Sequence, residues 1–215
     1  MSNPLNFTEM KLQFGELNIT SRVENRLNDL GYSVADLEKA IADHKSSCNG
    51  KPALYVGTYA KYNNGSIRGL WIDLSSFNSF DDFITFCKAI HADEADPELM
   101  AQDFEGFPRQ WYNEGFIYEE DFDKILEYSE MCDKYGKDAV DDYMEFYDSL
   151  DKFEEAYCGE WDSEEDFARN IIEECYNLEK MMGELAIYFD YEAFGHELFL
   201  WDYSIGANGH VFRRV

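Results

Sequence analysis

Basic residues are scarce in this chain. In 215 residues, 18 Lys and Arg stand against 45 Asp and Glu, a formal net charge of −27. Binding to a nucleic-acid backbone is driven by Lys and Arg displacing counter-ions, so the deficit excludes nucleic acid as a ligand. It excludes an anionic membrane surface for the same reason. Long apolar runs are missing too. No window approaches ~18 uninterrupted apolar residues, so no span of a membrane is expected. The N-terminus MSNPLNFTEMKLQF lacks the basic start, apolar core and cleavage site of a secretory signal. Cysteine pairing is absent from the pattern. Cys48, Cys87, Cys132, Cys158 and Cys175 are odd in number and contain no CxxC, which fits reduced thiols in a cytoplasm.

Catalytic and cofactor signatures are equally lacking. There is no GxGxxG, no GxxxxGKS/T and no GxSxG, so phosphate cradles and a nucleophile elbow are not expected. His44, His91, His196 and His210 are scattered, and His196-Glu197 is not part of an HExxH zinc motif. Asp121-x-Asp123 lacks the glycine and closing glutamate of a calcium loop. No cofactor or metal site is expected from these motifs, while a Cys–His nucleophile pair or a catalytic pair of carboxylates is left open by the sequence.

Aromatic residues, in contrast, are plentiful at 17%. Acidic disordered chains are poor in them, so a folded core is expected. The acids are also unevenly placed. Residues 1–50 carry 7 acids and 5 bases, and residues 51–90 carry 3 and 4. Residues 91–205 carry 35 acids and 7 bases, a net of −28 in 115 residues. Adaptation of a whole surface to salt would not leave the first 90 residues near neutral.

The pattern predicts an α+β chain of small domains, elongated, with boundaries at 1–50, 52–110, 111–160 and 161–215. In the first, Thr20 and Ser21 cap a helix through about Leu30, with Val23, Leu27 and Leu30 on one face and Gly31 ending it. Ser33 caps a second helix from Val34 to about His44, with Leu37, Ala40 and Ile41 inward, and 46–52 reads as a linker. In 52–110, two β-rich runs between Leu54 and Leu74 flank Asn63-Asn64-Gly65, a hairpin signal. A helix follows near Asp81–Ile90 with Phe83, Phe86 and Cys87 inward. Glu98–Pro108 then returns as a strand, in a βαβ-like or α+β arrangement.

The acidic middle, 111–160, reads as helical. Tyr118–Met131 places Phe122, Ile125 and Leu126 on one face. Asp138–Cys158 reads as one helix with Val140, Tyr143, Met144, Tyr147 and Leu150 inward. The recurring Tyr143, Tyr147, Phe153, Tyr157 and Trp161 are read as core rather than as ligand-stacking rings. In 161–215, Ser163 caps a helix through a box closed by Asp166, with Phe167, Ile171, Leu178 and Met182 or Leu185 as its apolar face. A short helix near Tyr191–Leu198 and a hairpin turning at Asn208-Gly209 end the chain.

On the predicted long helix, Asp141, Glu145, Asp148 and Glu155 share one face, flanked by Asp142, Asp151 and Glu154. Like charges four apart cost ~0.2–0.5 kcal/mol per pair. A short run such as Glu154-Glu155 needs no more than a solvated face to explain it. A block of −28 goes well beyond what solubility requires, and its self-repulsion costs stability. B-DNA carries one charge per ~1.7 Å of axis. A carboxylate stripe on a helix repeats every ~5.4 Å, so two or three adjacent stripes approach that density. A DNA-binding groove would accept such a surface. The phosphate stand-ins are expected among Asp121, Glu127, Asp141, Glu145, Asp148, Asp151, Glu155, Glu165 and Glu173.

Three motifs then carry a resemblance. The run YVGTYAKYNNGSIRGLWIDL within Leu54–Leu74 resembles the N-terminal hairpin of the antirestriction protein ArdA family. QDFEGFP at Gln102–Pro108 resembles its next signature. FDYEAFGHELFLWDY at Phe189–Tyr203 and NGHVFR at Asn208–Arg213 resemble its C-terminal one, with His196-Glu197 where the family usually shows Arg-Asp. The resemblance covers about 52–215 and leaves 1–50 outside. It implies a DNA mimic from a mobile genetic element that occupies the DNA-binding groove of the methyltransferase core of Type I restriction-modification enzymes. It implies three small domains, a homodimer joined through the C-terminal domain, and no catalysis. Two other readings compete. One is an acidic module for another basic protein, such as a histone-like protein or a regulator. The other is a divalent-cation-binding or hydrolytic protein.

Overall fold

The computed structural model describes residues 20–47 and 50–215 of the chain. It mixes helix and sheet, the α+β class that the sequence predicts. It divides into two compact units, Met1–Ser129 and Glu130–Val215.

The first unit opens with α1, Ser21–Asp29, capped by the Thr20 hydroxyl, which accepts from the Val23 amide. Its last turn closes through Tyr32 N–H to Leu27 C=O and Gly31 N–H to Asn28 C=O, a Schellman motif. In α2, Val34–Ser47, Ser33 and Asp36 cap each other reciprocally. That helix runs through Ser46 and Ser47, so the expected linker at 46–52 starts later than its composition suggests. Residues 48 and 49 of that linker lie outside the described residues, as do 1–19. Val23, Leu27, Leu37 and Ile41 are buried, and Ala40 and Leu30 are half-buried.

β1, Ala53–Thr58, is the middle strand of a three-stranded sheet, between β2, Leu70–Asp73, and β3, Leu99–Glu105. Both neighbours run antiparallel to it. All six β1 residues are buried, as a central strand covered on both faces requires. β2 and β3 are therefore parallel to each other with β1 between them. The helix α4, Phe80–Ile90, makes the crossover, which gives a split βαβ unit.

The Asn-Gly signal is used differently from the expectation. Strands β1 and β2 are antiparallel neighbours, but no tight hairpin joins them. Thr58 caps a short helix, α3, Tyr59–Asn63, and Asn64-Gly65 ends it. A two-residue type I′ turn needs positive φ at both residues. Here Asn64 has φ −90°, and only Gly65, at φ +77°, is left-handed. Ser66 N–H reaches Lys61 C=O, and Gly65 N–H reaches Tyr62 C=O, a second Schellman motif.

Phe83, Phe86 and Cys87 of α4 are fully buried, as predicted. Phe83 stacks on Phe122 of α5, Glu119–Tyr135, with ring centroids 5.6 Å apart. His44 of α2 lies 5.1 Å from the Phe77 ring and 4.6 Å from Phe86. Arg26 of α1 donates to the carbonyls of Ala92 and Asp93 at 2.9 and 3.2 Å. The two N-terminal helices thus pack on the core of the α/β unit.

The second unit corrects the sequence reading most. The helix expected over Asp138–Cys158 is three elements: α6, Lys137–Met144; α7, Phe153–Ala156; and β4, Tyr157–Glu160. The aromatic rings explain the break. Ten residues of continuous helix would separate positions 143 and 153 by ~15 Å. Instead the Tyr143 and Phe153 rings lie 5.1 Å apart, and both meet Phe212, at 5.2 and 5.9 Å. Bringing these three rings together buries more apolar area than an extended helix could.

β4 pairs with β6, His210–Arg213, which pairs with β5, Tyr203–Ile205, all antiparallel. The predicted turn at Asn208-Gly209 joins β5 to β6, with Gly209 at φ +90°. Neighbouring strand residues face opposite sides of a sheet. Phe212 meets Tyr143 and Phe153, while Val211 joins Phe167 and Phe199 in a second core with Trp161, Ile171 and Tyr203. Helices α6 and α7 therefore cover one face. Helices α8, Glu164–Cys175, and α10, Tyr191–Trp201, cover the other.

The Ser163 cap on α8 is as predicted, with Asp166 N–H donating to Ser163 Oγ at 3.1 Å. The helix stops at Cys175, so Leu178, Met182 and Leu185 do not extend its apolar face. Leu178 and Met182 belong to α9, Leu178–Met182, and Leu185 is exposed. Arg214 closes the fold by donating to Phe199, Leu200 and Trp201 carbonyls at the end of α10. A cation there satisfies orphan carbonyls and the negative end of the helix dipole.

Candidate functional site: the acidic surface

The nine candidate carboxylates are spread over several elements. Asp121 and Glu127 are half-buried on α5 in the first unit. Asp121 edges a cavity of about 400 Å³ formed with the segment Arg109–Glu114. In the second unit, Asp141 is on α6, and Glu145 follows that helix. Asp148 and Asp151 lie in the connection to α7, Glu155 is on α7, and Glu165 and Glu173 are on α8. The single stripe expected from Asp141, Glu145, Asp148 and Glu155 does not form, because the helix that would carry it is broken after Met144. The acids are still outward. Glu145, Asp148, Asp151, Glu155 and Glu173 are all exposed and make no ion pair among the described residues.

Part of the acid count has a local structural reason. Glu119, Glu120 and Asp121 occupy the first turn of α5, and Glu164, Glu165 and Asp166 that of α8. Negative charge there complements the positive end of the helix dipole. Other acids are neutralised inside the chain. Glu120 pairs with Lys124 at 2.8 Å, Glu154 with Lys134 at 2.5 Å, Glu165 with Arg169 at 2.6 Å, and Asp141 with Lys137.

At the head of the acidic block, Asp93 and Glu94 turn inward to the bases of the near-neutral segment. Lys61 lies 3.1 Å from Asp93 and also meets Glu94, and Arg68 lies 3.0 Å from Asp93. Thr58 donates its hydroxyl to Glu94 at 2.6 Å. Burial would raise the Asp93 carboxyl, but Arg68 and Lys61 hold it below the usual range. His91 is enclosed beneath this network, with Nδ1 3.1 Å from Lys61 Nζ and Nε2 3.3 Å from the Val56 carbonyl. Burial, then the adjacent ammonium, push it down to about 4. It is neutral at pH 7, with Nε2 donating to Val56 and Nδ1 accepting from Lys61.

Asp142 is the acid whose role its spacing concealed. It is 1% exposed. It accepts from the Asn208 backbone and side-chain nitrogens at 3.1 and 2.8 Å, and from His210 N and Nδ1 at 3.4 and 2.7 Å. Burial opposes its charge, but the hydrogen bonds from His210 and Asn208 outweigh burial and keep the carboxyl below its ordinary value. A Cβ at Gly206 would lie 2.3 Å from the Asp142 side chain, so glycine is required there. Asp142 thus fastens the β5–β6 turn to α6 and offers nothing to a partner. The Asn-Gly-His run was a sequence signal for this turn. Nothing local identified Asp142 as its acceptor.

Among the described residues no group of three His, Cys, Asp or Glu could hold a metal ion. Nor is any helix there long and apolar enough to cross a membrane. What the fold presents is therefore an α+β scaffold in which Lys61, Arg68, Lys124, Lys134, Lys137 and Arg169 are tied to carboxylates, with further carboxylates left facing outward. This arrangement suits a binding surface for a basic partner. The family model of the antirestriction protein (ArdA) matches residues 54–212, and the chain belongs to that family. No curated protein matches it. The chain is accordingly an antirestriction protein, whose general partners are restriction enzymes.

Proposed function

We propose that this chain inhibits Type I restriction-modification enzymes by standing in for DNA, as a binding protein rather than an enzyme. The observation that carries the reading is the outward set Glu145, Asp148, Asp151, Glu155 and Glu173, without an ion pair among the described residues, within a block of 35 acids and 7 bases. Carboxylates in place of phosphates engage the Lys and Arg that line a DNA groove, and association is steered by the field of the whole surface. Because the acids lie on several elements, the surface acts through summed charge rather than through a stripe. Family membership supports the target class.

Competition binding tests it. The protein should displace DNA from a purified Type I methyltransferase core, with an affinity that falls as salt rises. Single substitutions should be nearly silent. Reversing Glu145, Asp148, Asp151 and Glu155 together should weaken inhibition strongly. Inhibition by that variant equal to the parent's, or indifferent to salt, overturns the proposal.

The chain is further proposed to act as a homodimer through its C-terminal region. Leu185, Ile187, Tyr188 and Trp201 are 62%, 80%, 77% and 70% exposed. Large apolar side chains left so open mark a contact surface. Sedimentation should give a dimer, and Ile187→Asp with Trp201→Asp should give a monomer.

A further inference from the structure

Residues 91–205 contain seven cations, and four of them sit against a carboxylate: Lys124, Lys134, Lys137 and Arg169. Exposed pairs of this kind contribute little to folding, because solvent screens them and ordering two long side chains costs entropy. Their effect on recognition is different in kind. A carboxylate held by its own lysine reaches a partner's cation only after that lysine is displaced. Glu120 and Glu154 are the plainest cases. Hydrogen bonds from Lys124, and from Lys134 with the Tyr135 hydroxyl, hold both carboxyls below their ordinary range. The two lysines are raised by the same contacts. Lys152 and Lys180, in the same acidic block, make no ion pair among the described residues.

We infer that Lys124 and Lys134 are selectivity residues, built-in counter-ions that keep Glu120 and Glu154 from weakly basic proteins and release them to a partner dense in Lys and Arg. The inference rests on the DNA stand-in reading. It adds that four of the seven cations of the acidic block are placed to hold carboxylates, so their positions matter as well as their number. A dense basic groove supplies several cations at once and displaces the internal lysines. A sparsely basic surface does not.

Two double variants of equal charge separate position from number: Lys124→Gln with Lys134→Gln, and Lys152→Gln with Lys180→Gln. Each is titrated at low and moderate salt against a purified Type I methyltransferase core and against lysozyme, a compact basic protein without a DNA groove. Thermal unfolding confirms that both are folded. The first variant should bind lysozyme roughly three- to tenfold more tightly than the second. For the methyltransferase core the two should agree within about twofold. Equal lysozyme affinities overturn the inference, since net charge alone then suffices. Weaker or undetectable lysozyme binding by the first variant overturns it too, because the lysines then support the surface. Failure of the parent to bind the methyltransferase core condemns the DNA stand-in reading instead, and the lysozyme arm still reads the counter-ion effect.

Discussion

The two units are built alike and charged differently. Each has a three-stranded antiparallel sheet whose central strand, β1 or β6, is covered on both faces. The first unit carries 22 acids and 11 bases in 129 residues, and the second 23 and 7 in 86, about twice the net negative charge per residue. In the first, Lys61 and Arg68 are sunk among Asp93 and Glu94. In the second, the one deeply buried acid, Asp142, is held by an imidazole and by amides. Most of its other acids face water. A scaffold can therefore tolerate a repulsive surface if its interior polar groups are satisfied and its aromatic core is dense.

The comparison is broken most severely by unseating Asp142. Asp142→Ala leaves the Asn208 and His210 donors without their acceptor and should cost the second unit about 3–5 kcal/mol. Asp148→Ala, an exposed acid six residues on, should stay within about 0.5 kcal/mol of the parent. Denaturant unfolding followed by hydrogen exchange across 137–213 would measure both. Equal costs would mean that burial does not distinguish these acids.

Acid should separate the units next. His91 is kept neutral in the fold, so its contribution to stability is complete above the unfolded value of 6.5. It declines as pH falls from 6.5 towards about 4, by up to about 3 kcal/mol. Asp142 behaves otherwise. Its folded pKa is depressed, so its contribution persists until pH drops below the unfolded value of 3.8. Between pH 6.5 and 4 the first unit should lose the His91 contribution while the second keeps that of Asp142. His91→Gln should reduce the first unit's loss in that window and leave the part due to His44, whose imidazole burial also holds below its ordinary value.

A smaller effect should run the opposite way. Raising salt from ~10 mM to ~150 mM shortens the Debye length from ~30 Å to ~8 Å. The resulting relief of repulsion should raise the melting temperature of the second unit by more than that of the first. Smallest is the pair of helix caps. Ser33→Ala and Ser163→Ala should each cost about 1 kcal/mol, equally in the two units.

Caps and helix faces were the legible part. Thr20, Ser33 and Ser163 announced helix starts because the hydroxyl and the amide it accepts from are only three residues apart. Phe83, Phe86 and Cys87 announced a buried face for the same local reason. The nine candidate acids were legible as a composition but not as a pattern. Their expected stripe assumed a helix that the Tyr143–Phe153–Phe212 contacts interrupt. Asn64-Gly65 was legible as a chain reversal, but not as the end of a helical turn.

The sequence by itself determined the acidic excess, its position after residue 90, the helix caps and the family motifs. Each of these is a matter of composition or of neighbours a few residues apart. Only the tertiary structure decided which acids face water and which are held inside. Asp142 meets His210 across 68 residues. Such contacts follow from packing the rings of distant segments around β6, and no local spacing records them.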